Sequence, residues 1–144
     1  MGKLTQRLTD AARSGVYRAR RTVEILEAAR GTRLDLARVD LTDVQDKDAL
    51  LERLALALGF PGWFGGNWDA LEDCLADFSW RSGEGHVLLF DGHGALTQDD
   101  LGVLLDVLAA AAAYWAERGR PFFVVFVDPG QALALPELFR HKTA

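Results

Sequence analysis

Cysteine is nearly absent from the 144-residue chain, with Cys74 as its one thiol. A single cysteine excludes a disulfide within the chain and a zinc site built from several cysteines. Long apolar runs are also lacking, since no stretch approaches the roughly 20 residues of a membrane span. The N-terminal sequence MGKLTQRLTD lacks the apolar core of a secretion signal. We therefore expect a cytoplasmic protein that contacts no membrane and carries neither metal nor cofactor.

A surplus of basic residues is missing as well, because 16 Lys and Arg oppose 21 Asp and Glu, for a net charge of −5. The balance is uneven along the chain. Residues 1–33 hold eight basic and three acidic residues, whereas residues 34–144 hold eight basic and eighteen acidic ones. An acidic body argues against direct binding of nucleic acid and favours basic partners. Solubility is the simpler explanation of the charge, and charge alone does not decide between the two.

The order of the hydrophobic patterns predicts an α/β fold. Apolar or alternating runs typical of strands cover 34–41, 86–90, 122–127 and, as a charged edge strand, 15–20. Apolar residues at helical spacing cover 46–58, 68–78, 97–118 and two shorter segments, 3–12 and 22–30. Strands that alternate with helices form parallel sheets. We expect a small, mainly parallel sheet of three core strands and an extra N-terminal edge strand, packed with helices.

The helix over 68–78 has two distinct faces. Its predicted core face consists of Leu71, Cys74, Leu75 and Phe78. Its other side carries four carboxylates, Asp69, Glu72, Asp73 and Asp77. Carboxylates four residues apart on a helix repel each other by about 0.2–0.5 kcal/mol per pair. Asp69 recovers this near the positive helix N-terminus, whereas we expect nothing local to stabilise Asp73 and Asp77, which favours a partner that does.

An aromatic, glycine-rich loop precedes this helix. It contains Phe60, Trp63 and Phe64 between glycines, and Asn67 follows it at the predicted N-cap. Tryptophan beside a charge cluster is typical of protein interfaces. The alternative is that the rings fold back onto the core, which we expect for Phe64 and leave open for Trp63.

The segment FPGWFGGNWDALEDCL, residues 60–75, closely resembles the signature of the barstar family, intracellular inhibitors of barnase-type ribonucleases. The shared pattern is Pro, x, aromatic, aromatic, Gly, x, Asn, x, Asp, Ala, Leu, x, Asp, Cys, Leu. The resemblance extends more weakly over 34–128 and implies a small parallel sheet packed with helices. We expect one barstar-like domain over 1–144, in which 1–30 is a basic extension and 129–144 a tail that packs in part.

The resemblance also implies a binding surface and its partner. The family's key inhibitory carboxylate falls on Asp73, its supporting acid on Asp69, its loop aromatic on Trp63 and its helix-capping asparagine on Asn67. The full set of predicted partner-binding residues is Trp63, Gly65, Asn67, Asp69, Glu72, Asp73 and Asp77. The implied protein is not an enzyme: it is an immunity protein, or antitoxin, that binds a basic barnase-like ribonuclease.

Two positions depart from the family prototype, which has a large aromatic at the position of Glu72 and an acid at that of Gly66. These departures leave a second hypothesis open, in which the same scaffold binds a different basic toxin or regulatory protein. A third hypothesis uses His86, Asp91 and His93 as a metal or acid–base site, or the loop 91–94 as a nucleotide site. We favour an ordinary strand-to-helix loop there, because the loop lacks the glycine spacing and lysine of a P-loop.

Overall fold

The predicted α/β fold is present in the computed structural model, which describes residues 2–139. The helices are α1 (Lys3–Leu8), α2 (Val23–Ala29), α3 (Lys47–Leu58), α4 (Trp68–Asp77) and α5 (Gln98–Glu117). The strands are β1 (Gly15–Ala19), β2 (Leu34–Asp40), β3 (Gly85–Asp91) and β4 (Phe122–Val127). The ends lie within four residues of the predicted ones, and those of β4 coincide with them; some of the shifts arise because Asp46 and Thr97 cap helices rather than join them. No helix among the described residues is long and apolar enough to cross a membrane.

The four strands form one parallel sheet in the order β1-β4-β3-β2. Strand β4, with the sequence FFVVFV, lies inside the sheet beside β3, and its register pairs Phe122 with His86. Strand β1 lies at one edge, as its charged sequence predicts, and all five of its residues are partly exposed. The sheet therefore consists of the three expected core strands and the expected N-terminal edge strand.

Helices α3, α4 and α5 cover one face of the sheet. The buried strand residues on this face are Ala37, Val39, Leu88, Phe90, Phe122, Val124 and Phe126. The buried helix residues that pack on them include Leu50, Leu54, Leu71, Leu75, Leu104, Leu108 and Trp115. The indole Nε1 of Trp115 on α5 also donates a hydrogen bond of 2.8 Å to the carbonyl of Leu75 on α4. This bond holds α4 against α5.

The N-terminal region and the tail cover the opposite face. The alternate side chains of the two central strands point there and are fully buried: Val87, Leu89, Phe123 and Val125. Their cover consists of Leu8, Ile25, Ala28 and Leu138. The tail runs beside β1, where the Arg18 amide donates to the Pro136 carbonyl and the Leu138 amide donates to the Arg18 carbonyl, both at 2.9 Å. The expected packing of the tail is thus observed up to Phe139, and residues 140–144 lie outside the described part.

Basic side chains of the N-terminal region also pair with the acidic body. Arg18 contacts Glu137 at 3.3 Å, and Arg33 contacts Glu84 at 3.2 Å. The second pair is largely exposed, so it contributes little. Apolar burial, more than charge, therefore attaches residues 2–33 to the rest of the domain.

A pair of substitutions on α2 tests whether this region is part of the cooperative unit. Ile25 is 1% exposed, so Ile25→Ala should lower the free energy of unfolding by about 2–5 kcal/mol, as other large-to-small core changes do. Val23 on the same helix is 49% exposed, and Val23→Ala should change it by less than about 0.5 kcal/mol. Urea denaturation measures both. Equal, small effects would mean that α2 docks without contributing to global stability.

Candidate functional site

The aromatic loop begins where α3 ends. Gly59 closes the helix in the left-handed conformation, with φ of 67° and its amide bonded to the Ala55 carbonyl. A turn follows in which the Phe64 amide donates to the Pro61 carbonyl at 3.0 Å. Phe64 is partly buried against the core, as expected, whereas Trp63 is 57% exposed. Of the two alternatives left open for Trp63, the structure thus shows the solvent-exposed one.

Helix α4 begins at the predicted cap. The Asn67 side-chain oxygen accepts a hydrogen bond of 2.7 Å from the Ala70 amide, which satisfies one of the free N–H groups of the first turn. The predicted core face is also confirmed, because Leu71, Cys74 and Leu75 are fully buried. Phe78, buried as well, lies just past the helix end in the left-handed conformation, with φ of 47°. The helix is thus held along its inner face and at both ends.

The four carboxylates of α4 all face solvent. Asp69, Glu72, Asp73 and Asp77 are exposed, and none forms an ion pair within residues 2–139. For Asp77 the expectation of no local stabilisation is wrong, since its Oδ1 accepts a hydrogen bond of 3.3 Å from the Ser79 amide. The reason is that α4 ends at Asp77, so the chain folds back over the side chain. Asp73 therefore remains as the mid-helix carboxylate with repulsive neighbours on both sides.

Gly65 and Gly66, the two glycines before the N-cap, differ in whether the backbone conformation requires glycine. Gly66 has a φ of 71°, a conformation that strains other residues. At Gly65 a Cβ would meet only Asn67 Nδ2 at 3.6 Å and Ala70 Cβ at 3.8 Å, which are ordinary contacts. The fold therefore favours glycine at 66 and tolerates a side chain at 65. A role for Gly65 in binding stays a prediction, as it does for the other predicted site residues.

Cys74 lies between these carboxylates in sequence but on the opposite side of the helix. Burial raises the pKa of its thiol to about 11, and the negative charges of Asp73 and Asp77 add to the effect. A thiol with such a pKa is protonated at neutral pH and a poor nucleophile. Cys74 is a small core residue, as its helix face predicts.

A group of residues that sequence reasoning missed lies beneath the aromatic loop. Arg81 binds the Asp35 carboxylate with two hydrogen bonds, of 2.6 and 3.0 Å, and His86 Nδ1 lies 2.9 Å from the same carboxylate. Burial opposes ionisation of Asp35, but the hydrogen bonds and positive charge supplied by Arg81, with the His86 hydrogen bond, outweigh it and lower the pKa of Asp35 below 3.8. No local motif could reveal the group, because Asp35 and Arg81 are 46 residues apart.

The histidine constellation considered as a third hypothesis does not assemble. His86 and Asp91 occupy opposite ends of β3, and Asp91 pairs with Arg38 at 3.2 Å. His93 instead lies 3.4 Å from the buried carboxylate of Asp128, which also accepts backbone hydrogen bonds from residues 132 and 133. Within residues 2–139 no cluster of His, Cys, Asp and Glu could hold a metal ion. Strand β3 separates His86 from Asp91 and His93, so residues that are near in the chain have different surroundings.

Comparison with known proteins identifies the family. A sequence model of the family described as Barstar (barnase inhibitor) matches residues 34–127. Because the match spans more than half of the chain, the chain belongs to the barstar family. The search of curated proteins found no match. The matched segment contains the aromatic loop and α4 but begins after β1, α1 and α2.

The burial of His86 predicts that the stability of this domain depends on pH. Burial lowers the pKa of His86 below 6.5, and the charges of Arg120 and Arg81 act in the same direction, against the hydrogen bond and charge of Asp35. The unfolded chain therefore takes up a proton at this residue before the folded chain does, so the free energy of unfolding falls as the pH drops below about 6.5. The decline should be smaller in His86→Gln. Urea denaturation between about pH 7.5 and pH 5 measures it, and parallel curves for the two proteins would contradict the assignment.

Proposed function

We propose that the protein inhibits a barnase-type ribonuclease by covering its active site with the aromatic loop and the outer face of α4. The observation that carries the proposal is the exposed carboxylate row of α4, which forms no ion pair within residues 2–139, beside the 57% exposed Trp63. Family membership supports it, since the family is described as an inhibitor of barnase. The protein would act in the cytoplasm of the producing cell, as an immunity protein or antitoxin, without catalysing a reaction itself.

The chemistry of inhibition follows from what a ribonuclease must bind. Its active site holds the RNA phosphate with basic side chains, so a carboxylate delivered at the phosphate position competes directly with substrate. Asp73 is suited to this role because α4 is anchored by its buried face and its capped ends, so binding requires little reordering. Asp69, Glu72 and Asp77 would extend the negative surface. Asn67 and Gly65, which precede α4, would contact the partner at the N-terminal end of this surface.

A second candidate is a barstar-fold module that binds a different basic toxin or regulatory protein. The observation that favours it is the chemistry of Glu72 and Gly66, which differ from the family prototype, one in the helix and one in the loop. Glu72 is exposed, so the difference alters the surface that a partner meets. Titration of the purified protein into a barnase-type ribonuclease assay separates the two candidates, because the module would leave the nuclease active.

Replacing the central carboxylate tests the proposed surface. Asp73→Ala should weaken binding to a barnase-type ribonuclease by at least roughly 30-fold, the effect of removing one partner of a buried charge pair. The free energy of unfolding should stay equal or rise slightly, since repulsion from Asp69 and Asp77 is relieved. Asp106→Ala is the matched control, because Asp106 is an exposed carboxylate within α5. Equal inhibition by the two variants would refute the role of Asp73, as would a large loss of stability in Asp73→Ala with inhibition retained.

The charge of the surface predicts how association depends on salt. An acidic patch accelerates encounter with a basic partner, and salt screens that attraction over a Debye length of about 10 Å at 0.1 M. The association rate constant should fall roughly tenfold or more between about 0.02 and 0.5 M salt, with a smaller change in dissociation. Stopped-flow tryptophan fluorescence measures both rates. An association rate independent of salt would count against electrostatic steering.

A further inference from the structure

Trp80 lies at the centre of an aromatic cluster beneath the exposed Trp63. The two indole rings meet edge to face, with centroids 6.3 Å apart. Among the described residues Trp80 is the one aromatic ring in contact with Trp63. Trp80 also meets Phe60 at 5.9 Å and Phe78 at 5.5 Å, both edge to face. The ring therefore joins the end of α3, the aromatic loop and the end of α4.

The Leu58 carbonyl links Trp80 to Arg81, because it accepts a hydrogen bond from each of them. The Leu58 carbonyl, in the last turn of α3, accepts from Trp80 Nε1 at 3.0 Å and from Arg81 Nη1 at 3.2 Å. The same guanidinium donates two hydrogen bonds to the Asp35 carboxylate of β2, from Nε and Nη2. Asp35 in turn is fixed by the buried His86 of β3. A continuous chain of polar contacts thus runs from the sheet to the residue that supports Trp63.

A contribution to the free energy of unfolding does not by itself explain why Arg81 and Asp35 are paired here. The side chains of Arg81 and Asp35 are 21% and 14% exposed, so the pair has left most of its water, and ion pairs in that position are weak evidence for stability. In some proteins a buried polar or ionic group specifies one geometry rather than adding free energy. Here Arg81 shares the Leu58 carbonyl with Trp80, and Trp80 contacts Trp63.

We propose that Asp35 and Arg81 are positioning residues for the binding surface: they lock Trp80, and Trp80 holds the indole of Trp63 in its exposed, binding-ready orientation. The importance of this orientation for affinity rests on the proposed function, whereas the orientation itself does not. Arg81 carries the same sign of charge as a basic partner, so it gains nothing by direct attraction. Its contribution to binding must come through the residues that it holds.

Fluorine NMR of protein labelled with 5-fluorotryptophan tests the orientation without any partner. The chain has four tryptophans, so single Trp→Phe variants assign the four resonances. Arg81→Met should move the resonances of Trp63 and Trp80 towards their positions in the urea-unfolded chain. A Trp63 resonance that stays in place in folded Arg81→Met would overturn the proposal.

Arg120→Met is the matched control. Arg120 also bonds to loop carbonyls, of Gly83 at 2.6 Å and Glu84 at 3.2 Å, and its guanidinium lies 4.5 Å from the ring centre of Trp115. The substitution removes the same charge from the same end of the sheet. It should move the Trp115 resonance and leave those of Trp63 and Trp80 unchanged. Equal movement of Trp63 in both variants would show a general loosening and would refute a specific role for Arg81.

Binding to a barnase-type ribonuclease then measures what the orientation contributes. Arg81→Met should weaken binding about 2- to 12-fold, the effect of ordering one more side chain on binding, although the lost positive charge alone would speed association with a basic partner. In a double variant with Trp63→Ala, Arg81→Met should cause no further loss of affinity. In a double variant with Asp73→Ala, it should weaken binding by the same factor as it does alone. Complete additivity with Trp63→Ala would overturn the proposal.

The positioning role can be tested even if the protein binds no ribonuclease or if Arg81→Met does not fold. If the unaltered chain binds no barnase-type ribonuclease, the proposed function fails and the fluorine spectra still decide the positioning role. If Arg81→Met does not fold, Trp80→Phe takes its place, because it removes the Nε1 bond to Leu58 and leaves the pair of Arg81 and Asp35 intact. Its Trp63 resonance should move in the same direction, and an unchanged resonance would overturn the proposal.

Discussion

The whole structure depends on covering both faces of two apolar strands. Alternate side chains of a strand point to opposite faces, and in β3 and β4 both sets are largely apolar and buried, as with Leu88 and Leu89, with His86 as a buried polar exception. One face is covered by the three helices of the matched family segment. The other is covered by α1, α2 and the tail, which lie outside that segment. The basic N-terminal region is therefore part of the core, because it covers apolar side chains of β3 and β4 that would otherwise be exposed to water.

The same packing permits an unfavourable row of charges on α4. Burying a leucine side chain contributes about 1.5–3 kcal/mol, whereas repulsion between carboxylates one turn apart costs about 0.2–0.5 kcal/mol. The buried Leu71 and Leu75 easily outweigh the repulsion around Asp73. A helix held by its inner face can thus present like charges that an isolated helix of this sequence would disfavour. The result is a negative surface on an anchored helix, and it is this surface that we propose binds a partner.

Much of the fold and part of the site could be predicted from local patterns. The helical spacing of Leu71, Cys74 and Leu75 identified the buried face of α4, and Asn67 identified its first turn, because periodicity and capping depend on neighbouring residues. The same local reasoning misjudged Asp77, since it could not show where the chain turns after the helix. It also considered His86 and His93 as one site, an alternative that it did not favour, and the extended strand between them places the two residues in different surroundings.

The sequence by itself determined the order of the elements, the parallel sheet, the core face and the charged face of α4, and the family. These properties follow from residue type and spacing along the chain. Only the tertiary structure decided that Trp63 points to solvent above Trp80, and that Asp35 and Arg81 meet beneath it. Such contacts join residues far apart in sequence, and their distance depends on how β2, β3 and the end of α3 pack together. Spacing along the chain carries no information about that distance.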